Sequence, residues 1–362
     1  MGALTDAMLW IEPSQAALAA RVCELSGLRV VAAGSPRSSV RSEGRAGEDA
    51  GKVFQSAEPV HDLRHALATT SAKVVLLWTP FGEDGDRGPD QSSVLDDHAA
   101  LSGAHARGLT LLALDPSPAS LDAYGAGAEF WRHEPVRFMP LMRRSRAFVS
   151  AQEMLPAIGP LRTVFVAMRS AGGCGSLSAR TFDAMSVIHT LLGEPESIDC
   201  SVVPPGIAGG LHHAPSESFR RLRGDLSANL RFSGAKAASL ALSDRAGHWL
   251  RGVTLVGDNG CIRLTDRGME VTGPDGSTIE GETQPADPLA AAHAGAARLE
   301  APAPAVEEII AQQVARALDP RAPAPEPVDT VAVLSMCEAA LLSARTGQNE
   351  SPATIMRMAR VG

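Results

Sequence analysis

The sequence lacks several features that would assign a class of protein at once. Its five cysteines are odd in number and widely spaced, and no C-x-x-C pair occurs, which argues against a disulfide framework and a zinc site. No apolar run reaches the roughly 18 residues that a membrane-spanning helix needs, and no basic leader opens the chain. We therefore expect a cytoplasmic protein with no membrane partner and no bound metal.

An excess of positive charge is also missing. The chain has 33 Lys and Arg against 41 Asp and Glu, which gives a net charge of −8. Because nucleic acid is held mainly through its phosphates, this balance excludes nucleic acid as the main partner. The 362 residues, of which 44% are apolar, are enough for two globular domains.

The first half of the chain alternates short apolar runs with helix-like stretches, the pattern of a parallel sheet with crossover helices. Ligands of such sheets bind beyond the carboxyl ends of the strands. The sequence predicts strands at residues 7–11, 28–33, 74–78 and 109–114.

The second half of the chain has a different pattern of apolar residues. We predict a basic helix at 139–155, a strand at 163–168, a helix at 182–192, an antiparallel meander over 227–279, and helices at 306–318 and 331–343. The expected fold class is α/β: a Rossmann-like parallel sheet in residues 1–132, then an α+β domain in residues 133–362. That second domain is built on an open, mainly antiparallel sheet, and its last helix is expected to pack back on the first domain.

Four segments carry a resemblance to a known family through their order and spacing. They are RFMP at 137–140, LLGEP at 191–195, LVGDNGCIRL at 255–264 and EAALLSARTGQ at 338–348. Together they resemble the glucose-fructose oxidoreductase and inositol dehydrogenase family (Gfo/Idh/MocA), well over residues 136–358 and in outline before them. The resemblance implies an NAD or NADP cofactor, a sugar-like ligand, and homo-oligomers formed through the open sheet.

The glycine-rich turn of that family is missing. Its G-x-G-x-x-G would follow the first strand, where only glycine lets the backbone approach the pyrophosphate, yet this chain reads EPSQAA from Glu12. Glu12 brings a negative charge and Pro13 removes an N–H group, so we do not expect a dinucleotide to bind here in the usual pose. Glu12 and Ser14 are the cofactor-binding candidates at this turn. The alternative interpretation is a plain helix start, with proline near its first position and an acid at its N-terminus.

Two other loops correspond to cofactor contacts in the family. After the second strand, Ser35 and Arg37 are candidates to hold the 2′-phosphate of NADP, or they belong to a solvated loop. Thr79 and Pro80 match the turn that lies beside the nicotinamide in the family, and are equally compatible with a structural turn.

The proton-handling residues of the family are altered. The family's lysine aligns with Asp115, and its histidine aligns with Asp183. If the alignment is shifted along this helix, His189 becomes the catalytic candidate. Asp115 and Asp183 are expected to face one cleft, where they would share a proton or bind a metal, or else act as two separate solvated acids. His212 and His213 would add ligands if a metal were present.

Basic residues near position 140 are the candidates for substrate contacts. Arg137 and Arg144 are proposed to meet a sugar-like or anionic ligand, with Arg143 and Arg146 on one face of the same helix. The alternative is a solvated helix face.

Three altered sites together favour a protein with the build of an oxidoreductase that has lost standard NAD(P)-dependent hydride transfer. It would bind a sugar-like or other small ligand, or act in assembly. The alternatives are an active NAD(P)-dependent sugar or polyol dehydrogenase with a rebuilt cofactor loop, and a non-redox enzyme that uses Asp115 and Asp183.

Overall fold

The structure is a computed structural model that describes residues 4–36, 53–79, 93–170, 173–205, 218–283, 305–323 and 326–359. Strands β1 to β14 are Thr5–Trp10, Leu28–Gly34, Glu58–Val60, Val74–Leu77, Thr110–Ala113, Val136–Phe138, Leu161–Arg169, Ser197–Val203, Asp225–Phe232, Lys236–Ser243, Leu250–Gly257, Cys261–Thr265, Gly268–Thr272 and Thr278–Thr283. Helices α1 to α11 are Ala16–Ser26, Leu63–Thr69, His98–Ala106, Leu121–Ala126, Ala128–Trp131, Arg146–Glu153, Leu155–Ile158, Leu177–Leu192, Val306–Leu318, Thr330–Thr346 and Pro352–Ala359.

The first sheet holds six parallel strands in the order β3-β2-β1-β4-β5-β6. Its central strands are buried on both faces, which explains their nearly unbroken apolar sequences. The four predicted strands are present, and the predicted Rossmann-like sheet is confirmed. The short edge strands β3 and β6 were not predicted, because three residues carry no periodicity.

The first sheet directs three side chains of interest to one edge. Glu12, Thr79 and Asp115 each follow within two residues of the carboxyl end of β1, β4 or β5. The preceding strand ends are anchored by Trp10 and Trp78, which are fully buried. The rigid strand ends thus position the residues that the sequence singles out.

The second sheet has eight strands in the order β14-β13-β12-β11-β7-β10-β9-β8. Every pair is antiparallel except β7 with β10, so the predicted open, mainly antiparallel sheet is confirmed. The predicted simple meander is wrong at its centre, because β7 lies between β10 and β11. Strand periodicity indicates which face is buried, but it does not identify the neighbouring strand.

The predicted basic helix at 139–155 is wrong at its start. Arg137 lies in β6, a 3₁₀ turn spans Met142–Arg144, and α6 begins only at Arg146. Ser145 caps α6 by accepting a hydrogen bond of 3.2 Å from the Phe148 N–H. The cap and Pro140 explain the late start, since proline disfavours a helix through the residue before it.

The end of the chain holds two helices. α10 runs past the predicted residue 343 to Thr346 and ends at Gly347, whose φ of 66° favours glycine. The helix α11 follows, so the predicted last helix is not the last element. In the described segments, no helix is both long and apolar enough to cross a membrane.

The chain divides into two compact units. The first comprises residues 1–140, 173–179 and 307–327; the second comprises 141–172, 180–306 and 328–362. The late segment that belongs to the first unit is therefore the one that contains α9. The helix α10, which was predicted as the last helix, belongs to the second unit. The boundary after residue 132 stays a prediction.

Candidate functional site

The turn after β1 starts a helix. Glu12 has extended backbone (φ −69°, ψ 148°), a 3₁₀ turn spans Pro13–Gln15, and α1 follows. The Glu12 carboxylate accepts from the Gln15 N–H, and the Gln15 amide oxygen accepts from the Glu12 N–H at 2.8 Å. This reciprocal capping box satisfies two N–H groups that a helix start leaves open.

The same side chains reach two further segments of the first unit. Gln15 is 5% exposed, and its Nε2 donates to the carbonyl oxygens of Trp78 at 3.2 Å and Gly173 at 3.0 Å. Thr79 Oγ1 donates to Glu12 Oε1 at 3.1 Å. We call Glu12, Gln15, Trp78, Thr79 and Gly173 the Glu12 network. It joins the ends of β1 and β4 to the segment that leads into α8.

The Glu12 network places a carboxylate where a dinucleotide fold binds phosphate. Helix N-termini bind anions through N–H groups that are not otherwise engaged. Here Glu12 already accepts from Gln15, and Pro13 has no N–H to offer. Two negative charges about 4 Å apart repel by about 4 kcal/mol at an effective dielectric constant of 20. These residues do not fit a pyrophosphate in the pose that a glycine-rich turn provides.

The end of β2 is tightly packed. A side-chain carbon added at Gly34 would lie 2.8 Å from the Trp10 ring and closer still to the Val60 carbonyl oxygen. Ser14 is exposed and Ser35 is half-buried, whereas Arg37 and Pro80 lie outside the described residues. The roles predicted for Ser14, Ser35, Arg37, Thr79 and Pro80 at a cofactor stay predictions.

Asp115 is not a solvated acid. It is 3% exposed and accepts a hydrogen bond from the Ser176 hydroxyl. The Ser176 oxygen in turn accepts from the Ala179 N–H at 3.1 Å, in the first turn of α8. Asp115 therefore holds the start of α8 against the end of β5, because a buried carboxylate requires such partners. Its predicted catalytic role stays a prediction.

Asp183 is part of a buried ion pair in the second unit. It is fully buried and accepts from the Met142 N–H at 2.7 Å and from Arg251 Nη1 at 3.1 Å. The interpretation as a solvated acid is wrong. Burial raises the pKa of Asp183, and the positive charges of Arg251 and Arg180 oppose that rise.

Arg251 is the centre of a larger group of side chains. Its Nη2 lies 2.5 Å from Asp266 Oδ1, and the Trp249 indole N–H donates to Asp266 Oδ2 at 2.9 Å. The guanidinium carbons of Arg180 and Arg251 both lie over the Trp249 ring, 4.5 Å and 5.2 Å from its centroid. We call Arg180, Asp183, Trp249, Arg251 and Asp266 the Arg251 cluster.

The charges of the Arg251 cluster are coupled. Burial lowers the pKa of the Arg251 guanidinium, but Asp266 and Asp183 outweigh it and the net shift is upward. The sequence does not reveal this cluster, because its members come from three separate segments, at 180–183, 249–251 and 266, and nothing in the sequence pairs Asp183 with Arg251. The pairing of β11 with β12 brings Arg251 and Asp266 close together.

His189 is half-buried in the last turn of α8. Its carbonyl oxygen accepts from the Gly193 N–H at 2.9 Å. Across the described ranges, no group of three or more His, Cys, Asp or Glu side chains is placed to hold a metal. Asp115 belongs to the first unit and Asp183 to the second, and His212 and His213 lie outside the described residues. Catalysis by His189 stays a prediction.

The candidate substrate arginines do not share a helix. Arg137 Nη1 donates to the carbonyl oxygen of Ala317 at 2.8 Å, near the end of α9 in the first unit. Arg143 and Arg144 lie in the 3₁₀ turn, and Arg146 is the first residue of α6. The predicted common face of Arg143 and Arg146 is wrong, because the helix begins after Ser145. Substrate contact by Arg137 or Arg144 stays a prediction.

Comparison with solved structures identifies the type of fold. An oxidoreductase from Agrobacterium radiobacter, in complex with NAD+, L-tartaric acid and magnesium, has a TM-score of 0.61 at 15% identity, covering 98% of this chain and 100% of its own. A levoglucosan dehydrogenase in complex with NADH and levoglucosan gives 0.61 at 13%, covering 96% and 99%. A myo-inositol dehydrogenase from Corynebacterium glutamicum gives 0.58 at 14%, covering 96% and 98%.

These neighbours are oxidoreductases of the Gfo/Idh/MocA type, so the resemblance found in the sequence is confirmed at the level of the fold. No protein-family model matches the sequence, and no curated protein does. The chain therefore has an oxidoreductase fold whose neighbours bind NAD. At these identities, the likeness extends to the fold alone.

Proposed function

We propose that this chain is an oxidoreductase-fold protein that has lost standard NAD(P)-dependent hydride transfer, and that it binds a sugar-like or other small polar ligand as a self-associating protein. The Glu12 network carries the proposal. The position that needs exposed N–H groups and glycine in a dinucleotide site instead holds a carboxylate, a proline and a buried glutamine.

The Glu12 network is also expensive to rearrange. A dinucleotide bound in the usual pose would have to displace the Glu12 carboxylate from the Gln15 N–H, and would break the hydrogen bond between Thr79 and Glu12. Each unpaired buried group costs about 1–3 kcal/mol. These costs add to the charge repulsion, and they support a loss of dinucleotide binding rather than a weakened form of it.

Titration with NADH and NADPH is the direct test. We expect no saturable change in nicotinamide fluorescence up to about 1 mM cofactor, where even weak sites with a binding free energy of about −4 kcal/mol begin to fill. We also expect no shift of the melting temperature. An active dinucleotide-dependent dehydrogenase in a parallel titration serves as the positive control.

A saturating signal at micromolar cofactor would contradict the proposal and favour an active sugar or polyol dehydrogenase with a rebuilt cofactor loop. The ligand half of the proposal is tested separately, by melting temperature against a panel of sugars, polyols and hydroxy acids. A chain that none of them stabilises would not be a binder of this class.

The open face of the second sheet supports self-association. Outward positions in the central strands β7, β10 and β11 alternate with buried ones, as expected for a sheet covered on one face. In the described part of the chain, the outward side chains of these strands are uncharged apart from Arg169 at the end of β7: Thr163, Phe165, Ala167, Ala237, Ser239, Ala241, Leu250, Gly252, Thr254 and Val256. Phe165 is 48% exposed and Leu250 is 37% exposed. An extended face of this kind supports the proposal of an interface between proteins.

Replacing Phe165 with aspartate tests this interface. A charge buried at the centre of an interface without a partner costs several kcal/mol. We expect Phe165→Asp to weaken self-association at least about 100-fold, measured by sedimentation velocity over a concentration series. The matched control is Val149→Asp on α6, which is 43% exposed and outside this face. Wild-type protein that stays monomeric to about 100 μM would overturn the assembly half.

A further inference from the structure

A cavity lies in the first unit at the amino ends of β5 and β6. Its volume is about 490 Å³, within the range of sites that hold small molecules. Its walls come from the end of α3, the start of β5 at Thr110, the loop before β6, and Pro327. In a parallel sheet this is the edge opposite the carboxyl ends, so the cavity is separate from the Glu12 network.

The polar lining of the cavity is mainly basic. His105, Arg132, His133 and Arg137 contribute nitrogen groups, while Glu134 contributes the one carboxylate of the described lining. This local balance contrasts with the net charge of −8 for the whole chain. A basic hollow in an acidic protein concentrates anions at that place.

Two of these groups are available to a ligand. Arg132 and His133 are exposed, and neither side chain makes a hydrogen bond or ion pair with another described residue. Arg137 is fixed by its bond to the Ala317 carbonyl oxygen, and the ring of His105 stands edge-on to Phe130 with centroids 6.2 Å apart. The cavity thus combines a fixed wall with an exposed guanidinium and an exposed imidazole at its rim.

The backbone beside these groups is strained. Glu134 has a φ of 45°, in the left-handed region that residues other than glycine rarely adopt. Such a conformation persists where surrounding structure holds it, and it is common at ligand sites. The buried Pro135 and the β5–β6 pairing hold it here.

We propose that this cavity binds a small organic anion that carries carboxylate or phosphate groups, with Arg132 and His133 as the recognising residues and Arg137 as part of the wall. Planar guanidinium groups match both kinds of oxyanion, because both offer paired oxygens to two N–H donors. The site is independent of dinucleotide chemistry and of the open sheet face.

Calorimetric titration with citrate, and separately with inorganic phosphate, tests the site at low ionic strength. We expect saturable binding of at least one probe, with Arg132→Gln and His133→Gln each weakening it about tenfold or more, the size of one charge-assisted hydrogen bond. Both positions are exposed, so both variants are expected to fold. Arg21→Gln is the control, because Arg21 lies on α1 and its partner is Glu24.

The outcome also identifies the ligand chemistry. Preference for citrate indicates a carboxylate ligand, and preference for phosphate indicates a phosphorylated one. Binding that chloride of equal ionic strength abolishes, or that Arg132→Gln and Arg21→Gln weaken equally, would show nonspecific charge attraction and overturn the proposal. No heat of binding from either probe would overturn it as well.

Discussion

Replacing Arg251 with methionine is expected to lower the free energy of unfolding by about 3–5 kcal/mol. The guanidinium is fully buried and bonds both Asp183 and Asp266, so its loss leaves two carboxylates that no longer have their cation. It also removes one of the two guanidinium groups that contact the Trp249 ring. Urea denaturation followed by circular dichroism measures the change.

The pH dependence of the destabilisation caused by Arg251→Met distinguishes two causes, the unpaired charge of a buried carboxylate and the loss of side-chain packing. Burial already raises the pKa of Asp183, and removing Arg251 takes away a charge that opposes the rise. A carboxyl whose pKa is raised in the folded state stabilises the fold fully below its unfolded pKa, and this stabilisation is lost as the pH rises through the folded pKa. The deficit of Arg251→Met should therefore be smaller at about pH 5 than at about pH 8.

Arg263→Met is the matched control, because Arg263 is an exposed arginine on the neighbouring strand β12. We expect it to change the free energy of unfolding by less than about 0.5 kcal/mol. If Arg251→Met and Arg263→Met were equally mild, Arg251 would not be an essential ion-pair partner. Asp183→Asn is likewise expected to destabilise the fold, in contrast to the expectation for a solvated catalytic acid.

Replacing Gly34 with alanine is expected to have the second largest effect. The added methyl would meet the Val60 carbonyl oxygen and lie 2.8 Å from the Trp10 ring, and both neighbours are held by the first sheet. Overpacking of this kind costs about 1–3 kcal/mol or more. The clash is with a backbone atom, so a rotamer change cannot relieve it. Thermal and urea unfolding measure the loss.

Gly103→Ala makes the same chemical change in open space. Gly103 lies inside α3, and an added side-chain carbon there has no neighbour within 4 Å in the described structure. Because alanine favours helix over glycine, we expect a gain of about 0.5–1 kcal/mol. Opposite signs for the two variants would confirm that packing at the end of β2 decides the effect. A neutral Gly34→Ala would mean that β3 can move away from β2.

Sequence periodicity was sufficient for the class of fold. The central strands of the first sheet read as continuous apolar runs, and the strands of the second alternate, so both sheets could be predicted. Periodicity failed where a single capping residue decides: the serine at 145 delays α6, and no pattern of apolar residues could show it.

The chemistry of the altered sites was less predictable. An aspartate at position 115 or 183 looks the same in sequence whether the acid faces water or a buried partner. The partners, Ser176 and Arg251, are far away along the chain, and only tertiary packing brings them close. The turn at Glu12 was easier to predict from the sequence, because its capping box is a local feature of four residues.

The central position of β7 in the second sheet has a consequence for synthesis of the chain. Both of its partners, β10 and β11, come much later in the sequence, after α8, β8 and β9. While the ribosome adds those residues, β7 has no strand to pair with on either edge. Its alternating apolar residues are then free to associate with other nascent chains. The yield of folded protein in the cell should therefore depend on expression temperature and on chaperone supply, because both affect what happens to β7 before β10 and β11 are synthesised.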